Sequence, residues 1–348
     1  MIASPSCSTA PRSGVIDLWR ALACLAVLTY HARCNYFEAD IHPSVAFLNR
    51  IAEHGYLGVR IFFVLSGYCL AESLEQRFRR GGCSAISFWQ DRFLRIFPVY
   101  WAALAGTILL ALAALPFNGI SLSSVARGDP LFWLANLSLS TEWLGFRPIL
   151  LVSWSLDYEI GFYLLIGAAL LLPRANTTTR LVCYTLITAV AHWPGAAEYC
   201  PLLLCWPAFA CGVAVRFALD PEFPHPLRCS LASYPIVLLL FSSGDDLLTP
   251  VFAVMLLANL AFEKHLPAPP RILLQLGAAA YSIYLVHIPF AAVANLARRF
   301  IAPSSLAYLA VWWGQIVIGV AAGLLFFAAV ERPCERLRAR LHPRRIST

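Results

Sequence analysis

Residues 16–36 read IDLWRALACLAVLTYHARCNY, and the fold turns on how this stretch is understood. It is apolar enough to enter a bilayer, yet it carries Asp17, Arg20 and His31. Ionisable groups in hydrocarbon are costly, and where they occur they face a bundle interior and serve a function. Arg20 and His31 lie eleven positions apart. At ~100° per residue that is about three turns, so both side chains share one helix face, roughly 16 Å apart along the axis. A polar stripe of that length inside a membrane needs partners from other helices.

Composition points to the same solvent. Apolar residues make up 59% of the 348-residue chain and charged residues 13%, against roughly 45–50% and about 25% in soluble domains. The expected fold class is all-α, a polytopic membrane helix bundle forming a single integral domain over residues 1–348. A short segment of about 1–14 precedes the first span, and a basic tail of about 332–348 follows the last. The net charge of +7 would suggest nucleic acid in a soluble protein. Here it gathers beside membrane spans, where it reads as orientation or lipid contact and not as nucleic-acid binding. The eleven cysteines show neither C-x-x-C nor Cys/His metal spacing and fall mostly within apolar runs, so they read as small buried hydrophobes and no metal site is expected.

Apolar runs bounded by Pro, Gly or charge place about ten spans, at 15–34, 56–75, 93–115, 150–172, 180–194, 200–219, 229–242, 247–263, 272–297 and 305–330. With both termini cytoplasmic, eighteen of the twenty-six basic residues fall on the inner side and six on the outer, as positive-inside orientation requires. The first segment reads as a span and not as a cleaved leader, because Arg20 interrupts its core and no small-x-small site follows. The longest outer connection, 116–149, holds a short amphipathic run from Leu131 to Leu139 suited to the membrane interface.

This topology sorts the charges by depth. His31, Arg60, Asp157, Glu159 and His287 come from four spans and reach one outer layer. Arg92 and Arg95 join Arg20, Glu331 and Arg332 on the cytoplasmic side. The expectation is an inner basic site and an outer acid/base site.

Six segments in this order resemble the acyltransferase-3 family of membrane O-acyltransferases: Ile-Asp-x-x-Arg at 16–20 followed by His31, GVRIFFVLSGY at 58–68, RFLRIFPVYW at 92–101, SWSLDYEIGFYLL at 153–165, YSIYLVHIPF at 281–290 and ERP at 331–333. The resemblance covers nearly the whole chain. It implies a ten- or eleven-helix protein of a bacterial plasma (inner) membrane. Such a protein would take an acyl group, often acetyl, from cytoplasmic acyl-coenzyme A and place it on a hydroxyl of an extracytoplasmic or lipid-linked carbohydrate. Where many members read Ser-Leu-Ser-x-Glu-Glu after the tryptophan, this chain has Asp157 for the second Ser and Ile160 for the second Glu, leaving Glu159 as the matching carboxylate.

Each candidate has a plainer alternative. His31 is either a hydrogen-bonded bundle histidine or the catalytic group, as general base or as transient acyl carrier. Arg92 and Arg95 either satisfy orientation or, on one face at R-x-x-R spacing, hold the phosphates of coenzyme A. Arg20 either joins that site or is neutralised by Asp17. Arg60 and Glu159 either pair with each other, or Arg60 stabilises an oxyanion while Glu159 orients His31. Asp157, Tyr281 and His287 are candidates for lining the acceptor site, a packed histidine being the alternative for His287. Glu331 and Arg332, before Pro333, read as the end of the last helix. The rival function is a proton-coupled transporter using the same buried groups.

Overall fold

The computed structural model describes residues 13–33, 43–79, 84–118, 128–170, 184, 186–193, 195–242, 244–296 and 304–341. Every regular element among them is helical. The principal helices are α1 (Gly14–Arg33), α2 (Pro43–Glu53), α3 (Gly58–Arg79), α4 (Ala85–Asn118), α5 (Pro130–Ser138), α6 (Trp154–Leu170), α7 (Trp206–Ala218), α8 (His225–Phe241), α9 (Leu248–Ala261), α10 (Arg271–Ala278), α11 (Ala280–Leu296), α12 (Ser305–Phe326) and α13 (Arg332–Leu341).

Five helical stretches are long and apolar enough to cross a membrane: Gly14–Arg33, Val45–Arg79, Ala85–Ala113, Gly244–Ala261 and Leu306–Leu341. A sixth qualifies only as a bent pair, Arg271–Ala278 and Ala280–Ala291, with 76° between its halves. The protein is an integral membrane protein. Other expected spans are occupied by shorter helices, α6 and α8 of 17 residues each and α7 of 13. Thirteen residues rise only about 20 Å, short of a ~30 Å hydrocarbon core. α7 therefore relies on protein more than lipid, and nine of its residues are buried. Of the expected span at 180–194, residues 184 and 186–193 are described, and 1–12 and 342–348 lie outside the described residues.

Close helix packing explains the arrangement. α3 and α7 cross where each offers a glycine to the other's backbone: a Cβ on Gly67 would stand 2.0 Å from the Phe209 carbonyl oxygen, and one on Gly212 1.8 Å from that of Val64. Small residues let helices approach this closely, which is how helices associate in lipid. The same helices are tied at their C-terminal ends by ions. Arg79 and Arg216 reach the fully buried Asp220 at 2.8 and 3.5 Å, and Arg216 reaches Glu75 at 2.5 Å.

The expected single span 272–297 is in fact two helices. α10 lies directly on α1, with Gly277 against the backbone of Asp17. The chain then turns, and α11 packs along α12, where Gly319 and Gly323 approach His287 and Ile283. α1 touches α3, α10, α11 and α12, so the opening stretch of sequence sits at the centre of the bundle. α12 continues through a π turn, Phe327–Glu331, into α13. The interfacial run is α5: Asp129 caps it by accepting from Leu131 N at 2.9 Å, and Leu131, Leu134 and Leu137 are exposed at three-residue spacing.

Candidate active site

His31 lines a cavity of about 320 Å³ together with Val27, Tyr30, Tyr56, Val59, Trp154 and Tyr284. That volume is at the lower end of small-molecule sites. Helices α1, α3, α6 and α11 and the turn before α3 all contribute. The Nδ1 atom of His31 lies 3.0 Å from the Val27 carbonyl oxygen, one turn back on its own helix. Tyr284 is fixed by its hydroxyl, 2.8 Å from Ser155 Oγ and 3.2 Å from the Val152 carbonyl oxygen.

Behind His31 stands a second imidazole. His287 Nε2 lies 3.1 Å from His31 Nδ1, with the ring centroids 5.0 Å apart. His287 is 2% exposed, and its Nδ1 lies 2.8 Å from the Tyr284 carbonyl oxygen and 3.3 Å from that of Ile283.

Next to the cavity, a turn at Gly244–Leu247 supplies two carboxylates. Tyr56 donates to Asp245, and Arg60 Nη1 reaches Asp246 at 2.6 Å. Glu159 is engaged elsewhere, accepting from Tyr163 at 2.5 Å and from Ser66 at 3.2 Å. The expected Arg60–Glu159 pair is therefore not formed, because each side chain has a nearer partner.

Asp157 is fully buried and holds the 139–150 connection onto α6, its Oδ2 accepting from Thr141 Oγ1 at 2.7 Å and Glu142 N at 2.9 Å. Tyr281 donates to the Ile96 carbonyl oxygen at 3.1 Å, joining α11 to α4. Neither residue lines the cavity, and neither does His287.

The basic residues form a second group. Arg92 is 3% exposed, donates to Ser73 Oγ at 2.8 Å, and lies over the rings of Tyr163 and Phe88 at 5.4 and 5.6 Å. Asp91 gathers Arg77 at 2.8 Å, Arg338 at 3.7 Å and Arg92 at 3.9 Å. Arg95, one turn further along α4, is half-buried. Glu331 is buried, accepts from Ser282 at 2.5 Å, and lies in the field of Arg95 and Arg20.

Residues 14–332 match the family model for the acyltransferase domain, Acyl_transf_3. The chain belongs to the acyltransferase-3 family. It is 27% identical to acyltransferase MdmB of Streptomyces mycarofaciens, over 93% of this chain and 92% of that protein. It is 30% identical to the exopolysaccharide production protein ExoZ of Rhizobium meliloti, over 81% and 90% respectively. A shorter match, 29% identical over 45% of this chain and 24% of the relative, is to the peptidoglycan O-acetyltransferase OatA of Listeria monocytogenes. No solved structure matches.

For this acyltransferase the structure brings His31 and His287 into contact and joins Glu331 to Ser282 of α11. It keeps Arg60 and Glu159 apart, and leaves Asp157 and Tyr281 bonded within the scaffold. Sequence reasoning passed over the aromatic walls, Tyr30, Tyr56, Trp154 and Tyr284, and the Asp245–Asp246 turn. Aromatic residues beside the Arg60 and His31 motifs were the available signal.

Proposed function

We propose that this acyltransferase moves an acyl group, most simply acetyl, from cytoplasmic acyl-coenzyme A to a hydroxyl of an extracytoplasmic or lipid-linked carbohydrate, with His31 as the catalytic base. In this reading a single domain crosses a bacterial plasma membrane about ten times, with both termini in the cytoplasm. The observation that carries it is the placing of His31 on the wall of an aromatic cavity, on the same continuous helix as Arg20. Their separation along the axis is about 16 Å, enough for a donor anchored at the basic group to extend toward the imidazole. Aromatic walls suit the apolar faces of a sugar ring. The similarity to ExoZ and OatA, whose names refer to exopolysaccharide and peptidoglycan, supports a carbohydrate acceptor.

The chemistry balances with the residues present. The acceptor oxygen attacks the thioester carbonyl carbon while its proton passes to His31. The carbon–sulfur bond breaks, the electron pair stays on sulfur, and the proton from His31 leaves with the thiolate as free coenzyme A. Arg95 and Arg20 serve the donor phosphates, and Arg92, held by Ser73 and two aromatic rings, braces α4 behind them.

The experiment is transfer of labelled acetyl from acetyl-coenzyme A in membranes, read as thiol release and as label in surface glycans. His31→Ala is expected to lower transfer by at least about 10²-fold at normal membrane insertion. Undiminished transfer in that variant overturns the proposal.

A further inference from the structure

We infer that His287 is a positioning residue, which holds His31 in the tautomer whose Nε2 is the unprotonated ring nitrogen. The inference rests on the proposed role of His31 and adds to it the atom that acts and the group that selects that atom.

Carbonyl oxygens accept hydrogen bonds and never donate them. His287 Nδ1, at 2.8 Å from the Tyr284 oxygen, therefore carries a proton, and so does His31 Nδ1, at 3.0 Å from the Val27 oxygen. A neutral imidazole holds one proton, which leaves a lone pair on His287 Nε2. That lone pair lies 3.1 Å from His31 Nδ1, so His31 donates one N–H to two acceptors, the Val27 oxygen and His287. The opposite arrangement, with His287 donating, would strip Nδ1 of its proton and set its lone pair against the Val27 carbonyl.

Among the described residues the Nε2 atom of His31 has no hydrogen-bond partner. It is the ring nitrogen left to meet an alcohol in the cavity that His31 lines. When it takes the proton of the attacking hydroxyl, the ring becomes an imidazolium and its Nδ1–H bonds become charge-assisted. The bond to His287 then strengthens as charge develops, which is the property that lowers a barrier. His287 is suited to a fixed task of this kind. It is 2% exposed, both of its nitrogens are committed, and Gly319 of α12 lets its Cβ sit in a gap that a methyl group would narrow to 3.2 Å.

The test compares wild type with His287→Leu, His287→Gln and Gly319→Ala, each checked for insertion and thermal melting. Glutamine places a carbonyl oxygen near the position of the lost Nε2 and restores the acceptor. The expected result is a kcat loss on the order of 10²-fold in His287→Leu with KM for both substrates unchanged. His287→Gln is expected to recover to within about tenfold of wild type. Gly319→Ala, which displaces the ring without altering it, should fall between the two. A readout independent of turnover is nitrogen NMR of ¹⁵N-histidine-labelled protein, with His31 assigned by difference from His31→Ala. The expected signal is a protonated Nδ1, lost or mixed in His287→Leu.

A wild-type His31 protonated on Nε2 overturns the inference, as does full kcat in His287→Leu. A defect confined to KM, or a glutamine variant as impaired as the leucine one, also overturns it by returning His287 to a lining or packing role. If the tautomer is as expected but His31→Ala retains full transfer, the role proposed for His31 fails and the positioning geometry does not.

Discussion

Arg60 Nη1 stands 2.6 Å from Asp246 Oδ1, and the preceding Asp245 accepts from Tyr56, a residue of the cavity wall. The turn before α9 is thus tethered at two adjacent positions, to Tyr56 of the wall and to Arg60 of α3. The Arg60–Asp246 pair is 36% and 71% exposed, so its strength is about 1 kcal/mol or less. Arg60→Ala and Asp246→Asn are expected to lower transfer by the same modest factor, under about tenfold, and the double variant by no more than either. A double-mutant cycle on acetyl transfer measures this. A loss of about 10²-fold or more in kcat from Arg60→Ala alone would restore Arg60 to the oxyanion role.

The cavity gives a second prediction. Val59 is 7% exposed and contributes to the wall of a space of only about 320 Å³. Val59→Phe is expected to raise the acceptor KM by at least about tenfold, or to abolish transfer, while acetyl-coenzyme A still binds. Isothermal binding of the donor alongside the transfer assay separates the two effects. Weakened donor binding with an unchanged acceptor KM would mean that the cavity does not receive the acceptor.

How far the site was legible in the sequence follows from what kind of relation each residue enters. Hydropathy and charge asymmetry report depth, and depth alone brought His31 and His287 to one layer. They do not report rotation about a helix axis. Tyr281 and Tyr284 are three positions apart on α11, yet one donates to the Ile96 carbonyl and the other lines the cavity. Arg60 was matched to Glu159 by depth, whereas its partner lies in a connecting turn, Gly244–Leu247, that depth reasoning treats as outside the bundle. Glu331 was read as a helix terminator, because a segment that ends in Glu-Arg-Pro carries no sign that a π turn will face its first residue inward.

The α3–α7 crossing predicts severe intolerance at Gly212. A methyl group there would meet the Val64 carbonyl oxygen at 1.8 Å and Tyr68 N at 2.7 Å, both backbone atoms that cannot swing aside. Gly212→Ala should force the helices apart, at a cost of about 3 kcal/mol or more. Thermal unfolding of the detergent-solubilised protein should drop well below that of Gly106→Ala, since a Cβ on Gly106 meets nothing within 4 Å. Equal melting of the two variants would contradict the packing described.

Asp220 gives a dependence on pH. Burial pushes its carboxyl group upward, but the hydrogen bond it shares with Glu75, those it accepts from the Glu222 N–H and the Arg79 guanidinium, and the nearby charge of Arg216 hold it below the usual carboxylate range. A carboxylate depressed in the folded state adds stability that is fully present above its unfolded value of about 3.9 and is lost as pH falls through the folded one. Melting temperature should therefore be flat in Asp220 terms above about pH 5 and decline below ~4. Asp220→Asn should lower stability by about 3 kcal/mol at neutral pH and shrink the acid decline. A variant whose acid limb is as steep as wild type would show that Asp220 is not its source.

The π turn at Phe327–Glu331 amounts to one extra residue wound into an otherwise regular rod, and so it sets the phase of everything that follows. Winding the same residues as regular α-helix would rotate α13 by ~100° relative to α12. Arg338 would swing away from Asp91, and Ser282 would lose the carboxylate it now meets. The basic end of the molecule is therefore indexed to its histidine-bearing helix by a single residue of winding, and regularising that turn into α-helix would uncouple them without removing any charged side chain.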